Sequence, residues 1–211
     1  TEAEKAETTW IRELARALRT LHRVQLPTIE GLPDDRPDVG AALVGRLRGV
    51  FETVLREDGF WAGLSDDDRQ RLETVRAHYD AYAALLPRAA DQLSDARVAL
   101  THGDMAGDNL MVTQDGDLAI VDWGSARLGA ALTDPASLSV YMGRSLEERR
   151  WFYNLYLEDT EGAEETLLGL EILAQLHRYR SCVQSLLWLN GDPEGLDAVG
   201  RRFFESQLRA L

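Results

Sequence analysis

The sequence predicts a mainly α-helical protein carrying one small β-hairpin, an α+β chain in which helix dominates. Three observations lead there. Apolar residues recur at helical spacing through most of the 211 residues. One segment breaks that period: "LMVTQ" and "LAIVD" are β-leaning runs separated by Asp115-Gly116, a pair that marks a tight reversal. The 45% hydrophobic content is ordinary for a globular chain with a substantial core.

The first helix spans Thr8 to His22, where Ile11, Leu14, Leu18 and Leu21 form one buried stripe, and Pro27 follows its end. Residues 25–38 are a Pro-rich loop. Val39 to Arg56 reads as a second helix despite Gly40, Gly45 and Gly49. Ser65 can cap a third, "SDDDRQRLETVRAHYDAYAALL", whose first-turn acids suit the positive end of the helix dipole. Beyond the hairpin, "DPASLSVYMG", "SLEERRWFYNLYLED", "AEETLLGLEILAQLHRYRSCVQSLLWLN" and the segment from Pro193 to the C-terminus read as four more. No internal repeat, low-complexity segment or long heptad pattern is present.

The formal net charge is −13, with 36 acidic against 23 basic residues, so nucleic acid and anionic membrane are excluded as partners by repulsion. A cationic ligand would be attracted, although surface acid can equally serve solubility alone. Cys182 is the only cysteine, which rules out an intramolecular disulfide and a thiol-metal cluster. No apolar run reaches membrane-span length and the start lacks a secretory pattern, so the expected location is cytoplasmic. A start on Thr1 with a polar tail reads as a piece of something longer. Trp61, Trp151 and Trp188 read as core or substrate-wall residues, not as a base-stacking platform.

Chemistry concentrates in "LTHGDMAGDNLMVTQDGDLAIVDWG", residues 100 to 124. With Asp115 and Gly116 as a two-residue loop, Gln114 faces Asp117, Leu110 faces Val121, and Asn109 faces Asp122. Opposed residues lie about 5 Å apart, close enough for an amide oxygen and a carboxylate to share one ion. Hard oxygen ligands suit Mg²⁺ held together with substrate phosphates, not zinc. Asp104, five residues before Asn109 on the incoming loop, is the natural base. His102 reads as a structural histidine that orients this loop. Asp134, before Pro135, reads as a helix cap that could brace it. Asp108, Asp115 and Asp117 read as solvated turn residues, and His22, His78 and His177 show no ligand spacing.

His102-Gly103-Asp104, then Asn109, then Asp122-Trp123-Gly124 resemble the catalytic and metal-binding segments of aminoglycoside phosphotransferase-like and choline kinase-like small-molecule kinases, distant relatives of the protein kinases. The order H-x-D-x-x-x-x-N followed by D-x-G is kept. "WIRELARALRTLHRVQLP" also resembles the helix that opens the C-terminal lobe in this family. The resemblance implies that Asp104 accepts or orients the proton of an acceptor hydroxyl, and that Asn109 and Asp122 hold Mg²⁺. It implies that Met111 and Val121 floor the adenine pocket, that ATP or GTP is the donor, and that the acceptor is a small, amine-bearing, cationic hydroxyl compound. Glu147, Glu148, Asp159 and Glu161 would then line an amine pocket or remain solvated helix faces. Met105 and Ala106 depart from the polar residue that members often carry after the catalytic aspartate.

Such a kinase also needs a β-rich N-terminal lobe with a strand lysine and a loop over the phosphates. Lys5 is the only lysine and sits in the polar tail; no G-x-G-x-x-G or P-loop is present, and "GRLRG" from Gly45 lies in a helical pattern. The expectation is therefore a kinase-like C-terminal lobe over residues 1–211, with the N-terminal β lobe absent. Residues 1–99 would form a helical subdomain, 100–124 the catalytic loop and hairpin, and 125–211 the substrate-binding helices. The chain would be nearly inactive without the missing lobe as its partner. Two alternatives stay open: a pseudokinase-type nucleotide-binding or scaffolding module, and a metallophosphoesterase suggested by "GDMAGDN", which lacks an upstream D-x-H and a G-N-H-E-like segment.

Overall fold

The computed structural model describes residues 2–27, 29–36, 38–56, 65–77, 79–93, 96–141, 145–158 and 163–191. Among them are seven α-helices: α1 (Glu2–Arg23), α2 (Val39–Arg56), α3 (Asp66–Ala77), α4 (Tyr79–Leu93), α5 (Thr133–Tyr141), α6 (Leu146–Tyr156) and α7 (Ala163–Gly191). Four short strands accompany them: β1 (Val98–Thr101), β2 (Leu110–Val112), β3 (Leu118–Ile120) and β4 (Arg127–Ala130). The chain is thus mostly helical with few strands. The helix expected from Pro193 onward lies outside the described residues, as do Trp61, His78, Asp159 and Glu161. The single helix expected after Ser65 corresponds to α3 and α4.

Two compact units divide the chain, one made of Thr1–Leu43 with Ala89–Ala174, the other of Val44–Arg88 with Gln175–Leu211. All four strands belong to the first. There α1 packs on α6, β1 and α5. It begins at Glu2, six residues earlier than the apolar stripe required, because Glu, Ala and Lys are good helix formers without packing. Lys5 consequently lies on helical backbone. The buried stripe is Ile11, Leu14, Ala15, Leu18 and His22, whereas Leu21 is only half-buried.

A capping box starts α6: the Ser145 hydroxyl accepts from the Glu148 amide (3.2 Å) while the Ser145 amide donates to Glu148 Oε2 (2.9 Å). At its other end Arg19 donates to the carbonyls of Leu155 (3.5 Å) and Glu158 (3.3 Å), satisfying acceptors that a helix terminus leaves open. Phe152, Tyr153 and Tyr156 fill the buried face between these ends.

Sequence reading did not anticipate the antiparallel pair β1–β4, in register from Val98↔Ala130 to Thr101↔Arg127. "VALT" and "RLGA" are too short and too weakly alternating to stand out, and burial of their small residues gives no polar face. The Pro-rich loop docks along the free side of β4, with Leu128 N–H donating to the Pro33 carbonyl (2.9 Å) and Asp35 N–H to the Leu128 carbonyl (2.8 Å).

The second unit buries Leu72, Tyr82, Leu86, Cys182 and Val183, and the Tyr82 and Tyr179 rings meet edge to face at 5.6 Å. No helix among the described residues is long and apolar enough to cross a membrane.

Candidate active site

The hairpin forms where expected, but its register differs by one residue. Leu110 pairs with Ile120, Met111 with Ala119 and Val112 with Leu118. Asp115-Gly116 is not the whole loop: Gly116 N–H donates to the Thr113 carbonyl (3.0 Å) and Gly116 takes φ +88°, a turn closed by a left-handed glycine over residues 114–116. Thr113 favours this longer loop, its hydroxyl accepting from the Asp117 amide at 3.1 Å. Asn109 therefore faces Val121, whose N–H donates to the Asn109 carbonyl (3.0 Å), and the expected pairing of Asn109 with Asp122 is corrected. A one-residue slip changes which side chains share a face. It places Met111 and Val121 on one face, where the expected register had set them on opposite ones.

Asp122 follows the ladder and leaves it. At φ 60°, ψ 64° it is the sole non-glycine residue at positive φ among the described residues, a conformation that aspartate tolerates better than most and that ends strand alternation. A 3₁₀ turn over Trp123–Ser125 comes next. The Trp123 indole N–H donates to the Ile120 carbonyl (3.0 Å), and its ring meets the His102 ring edge-on at 4.9 Å.

His102 is fully buried and donates from Nε2 to the Val121 carbonyl (2.8 Å), tying the loop after β1 to the end of the hairpin; Nδ1 has no partner. This is the orienting role expected of it. Gly103 has φ +80°, and a Cβ there would overlap the Ser125 carbonyl oxygen, so only glycine fits. Asp104 is exposed, while Met105 and Ala106 after it are buried and anchor the loop by packing. Asn109 closes a 3₁₀ turn over Gly107–Asn109 and donates from Nδ2 to the Asp104 carbonyl (2.8 Å). That bond uses the amide nitrogen and not Oδ1. Hydrogen bonds thus connect Asp104, Asn109 and Val121 in sequence, with Asp122 the next residue.

Asp134 does not cap α5. Its carboxylate is wholly buried and accepts three hydrogen bonds: from the His102 amide (2.8 Å), the Gly103 amide (3.0 Å) and His22 Nε2 (3.1 Å). It braces the loop from beneath. His22 Nδ1 lies 2.8 Å from the Tyr156 hydroxyl. Sequence reading set His22 aside for lack of ligand spacing. The signal available was its phase, four residues after Leu18 on the buried stripe, where an ionisable residue needs a partner.

Among the described residues no three His, Cys, Asp or Glu side chains gather as a metal cluster. An Asn oxygen and one exposed carboxylate fit Mg²⁺, which is commonly held by one or two protein ligands with phosphates and water completing its shell. Asp108, Asp115 and Asp117 are exposed, and Met111 is 54% exposed on the hairpin. On α6, Leu146, Glu147, Arg150, Trp151 and Asn154 line an open cavity of 510 Å³. Arg12 stands over the Trp151 ring at 5.8 Å, so one face of that indole already meets a cation, and Glu148 is committed to the helix cap.

This arrangement coincides with a known family. The model of the APH family, described as "Phosphotransferase enzyme family", matches residues 1–167, and the chain belongs to it. Among solved structures, an ethanolamine kinase from Plasmodium vivax superposes with a TM-score of 0.68 at 17% identity, over 100% of this chain and 60% of its own. The choline kinase LicA from Streptococcus pneumoniae gives 0.58 at 18% identity, over 96% of this chain and 63% of its own. A spectinomycin phosphotransferase, APH(9)-Ia, in complex with ADP and spectinomycin gives 0.55 at 14% identity, over 95% and 64%. At these identities the likeness is one of fold. The chain spans 60 to 64% of the length of these structures. No curated protein matches the sequence.

Proposed function

We propose that this chain is the C-terminal lobe of a kinase-like phosphotransferase that moves the γ-phosphoryl group of ATP or GTP to a hydroxyl of a small, amine-bearing acceptor. One observation carries the reading: Asp104, Asn109 and Val121–Asp122 are linked by direct hydrogen bonds and one peptide bond across a loop and a hairpin end. In the mechanism that follows, Asp104 receives the acceptor's proton on an exposed carboxylate, and Asn109 Oδ1 and Asp122 hold Mg²⁺. That ion, when bound, neutralises charge on the phosphate oxygens. Asn109 also holds the Asp104 backbone, so one side chain couples proton acceptor and metal site. Met111 and Val121, on one hairpin face, form the floor for the nucleotide base. Gly103 and Asp134 keep the loop in place, since phosphoryl transfer depends chiefly on positioning and charge neutralisation.

A cationic acceptor is supported by the charge of −13 and by the choline, ethanolamine and spectinomycin named for the structural neighbours. ATP-type donors are supported by the ADP of one neighbour. A strand lysine and a phosphate-covering loop would be supplied by residues outside this chain, whose single lysine is helical, so the isolated chain should turn over little or not at all. The cytoplasm is the proposed compartment, in keeping with a lone buried thiol at Cys182. To test the function, the full-length gene product is assayed for Mg²⁺-dependent nucleotide consumption against a panel of hydroxylated amines. Consumption with at least one acceptor, abolished by Asp104→Asn, is the expected result; binding of nucleotide with no transfer to any acceptor would favour the pseudokinase alternative.

A further inference from the structure

Beneath the loop, three buried side chains from three helices form one line: Tyr156 of α6, His22 of α1 and Asp134 of α5, at 6%, 2% and 0% exposure. The contacts are 2.8 Å from the Tyr156 oxygen to His22 Nδ1 and 3.1 Å from His22 Nε2 to Asp134 Oδ2. The same carboxylate receives the His102 and Gly103 amides. We propose that Tyr156 is a positioning residue for phosphoryl transfer: its hydroxyl donates to His22 Nδ1 and so holds His22 neutral with its proton on Nε2, directed at Asp134. The inference rests on the kinase reading for its link to catalysis, but not for its chemistry.

The direction follows from the donors and acceptors present. A carboxylate that accepts two backbone amides can only accept from His22, so the proton facing it sits on Nε2. Nδ1 then either receives the tyrosine proton or, in an imidazolium, donates its own. In the second case the Tyr156 proton would need another acceptor, and among the described residues His22 is the only hydrogen-bond partner Tyr156 has. A buried hydroxyl proton without an acceptor is strongly disfavoured, and only the neutral ring offers Nδ1 as that acceptor. Burial, with the Asp134 carboxylate as a secondary cause, raises the Tyr156 phenol above its ordinary range and keeps it a donor, against a smaller opposing effect of Arg97 and Arg23. The His22 and Tyr156 rings also meet edge to face at 5.7 Å, fixing the ring plane in which the relay works.

The reaction would depend on this because Asp134 sets Gly103 at its positive φ, and Gly103 immediately precedes Asp104. Without the hydroxyl, Nδ1 is unpartnered, the ring is free to exchange tautomers or rotate, and the carboxylate loses its fixed third donor.

The test is nitrogen NMR of the 211-residue chain at neutral pH, with hydrogen exchange read at the His102 and Gly103 amides. In the parent protein His22 is expected as the Nε2–H tautomer, and an Nδ1–H tautomer or an imidazolium overturns the proposal. In Tyr156→Phe the His22 nitrogen shifts are expected to move towards a tautomer mixture, and both amides to exchange about tenfold faster, the change expected for one lost buried hydrogen bond. Unchanged shifts and unchanged exchange would likewise overturn it. If that variant does not fold, the parent spectrum alone decides. In the full-length enzyme the substitution should lower kcat with little change in nucleotide KM. Absence of all transferase activity would count against the kinase reading while leaving the NMR result standing.

Discussion

Removing the Asp134 carboxylate should weaken the whole first unit, not only the loop it touches. Asp134→Ala strips the acceptor from three donors: two backbone amides, at His102 and Gly103, and His22 Nε2. Each stranded buried donor costs about 1–3 kcal/mol before relaxation. Some of that cost is recovered because Gly103 is only half-buried and its amide can reach water as the loop shifts. About 3–5 kcal/mol is therefore expected, the range for breaking a buried charged hydrogen-bonded pair. Against a typical total of about 5–15 kcal/mol, this is a large fraction. Asp134→Asn can keep an oxygen facing the His102 amide and His22 Nε2 but turns an amide donor towards the Gly103 amide, and should lose an intermediate amount. Urea unfolding of the 211-residue chain followed by circular dichroism gives the answer, as a lowered midpoint at constant m. An alanine variant within about 1 kcal/mol of the parent would show that the three contacts do not hold the loop.

Other expectations concern the site and the core. Asp104→Asn in the full-length enzyme should lower turnover by about 10²–10⁴-fold with nucleotide affinity retained; an unchanged rate removes Asp104 from the proton step. Asp122→Ala should weaken nucleotide binding in the presence of Mg²⁺ and leave metal-free binding unaffected, as calorimetry with and without chelator would read. Gly103→Ala adds a side chain at positive φ against the Ser125 carbonyl, and should abolish transfer even where the variant folds, as paired rate and dichroism measurements would establish. Alkali should destabilise the fold. Burial raises the Tyr153 phenol and the Cys182 thiol each to about 12, so both stay protonated in the folded state while the unfolded chain ionises them from 10.0 and 9.0. Their stabilisation is complete below pH 9 and is lost as pH rises towards 12. Urea midpoints at pH 8 and pH 11 that coincide would contradict this.

Helices with strong stripes were legible in the sequence because one period determines which residues are buried. α2 begins and ends where the spacing placed it, and α6 falls inside the segment "SLEERRWFYNLYLED". Less local features were hidden. The pair β1–β4 joins segments nearly thirty residues apart with little alternation to mark them, and only tertiary burial gives it meaning. Hairpin register depends on whether glycine closes a two- or a three-residue loop, and a Thr113 hydroxyl tipped that balance. His22 shows no ligand spacing in the sequence, and the partners that give it a role come from α5 and α6. The residues of the H-x-D, Asn and D-x-G pattern stood out because chemistry, unlike packing, constrains residue type at each position. The brace beneath them stood out only in part: Asp134 before Pro135 suggests it, whereas its meeting with His22 comes through the fold alone.

Whether Asn109 and Asp122 hold one divalent cation beside Asp104 is tested most directly by pulsed electron paramagnetic resonance of the full-length protein with Mn²⁺ and ADP. With isotope-labelled asparagine and aspartate, couplings to the metal are predicted from both side chains, one disappearing in Asn109→Ala and the other in Asp122→Ala. Mn²⁺·ADP bound with coupling to neither residue would contradict the account.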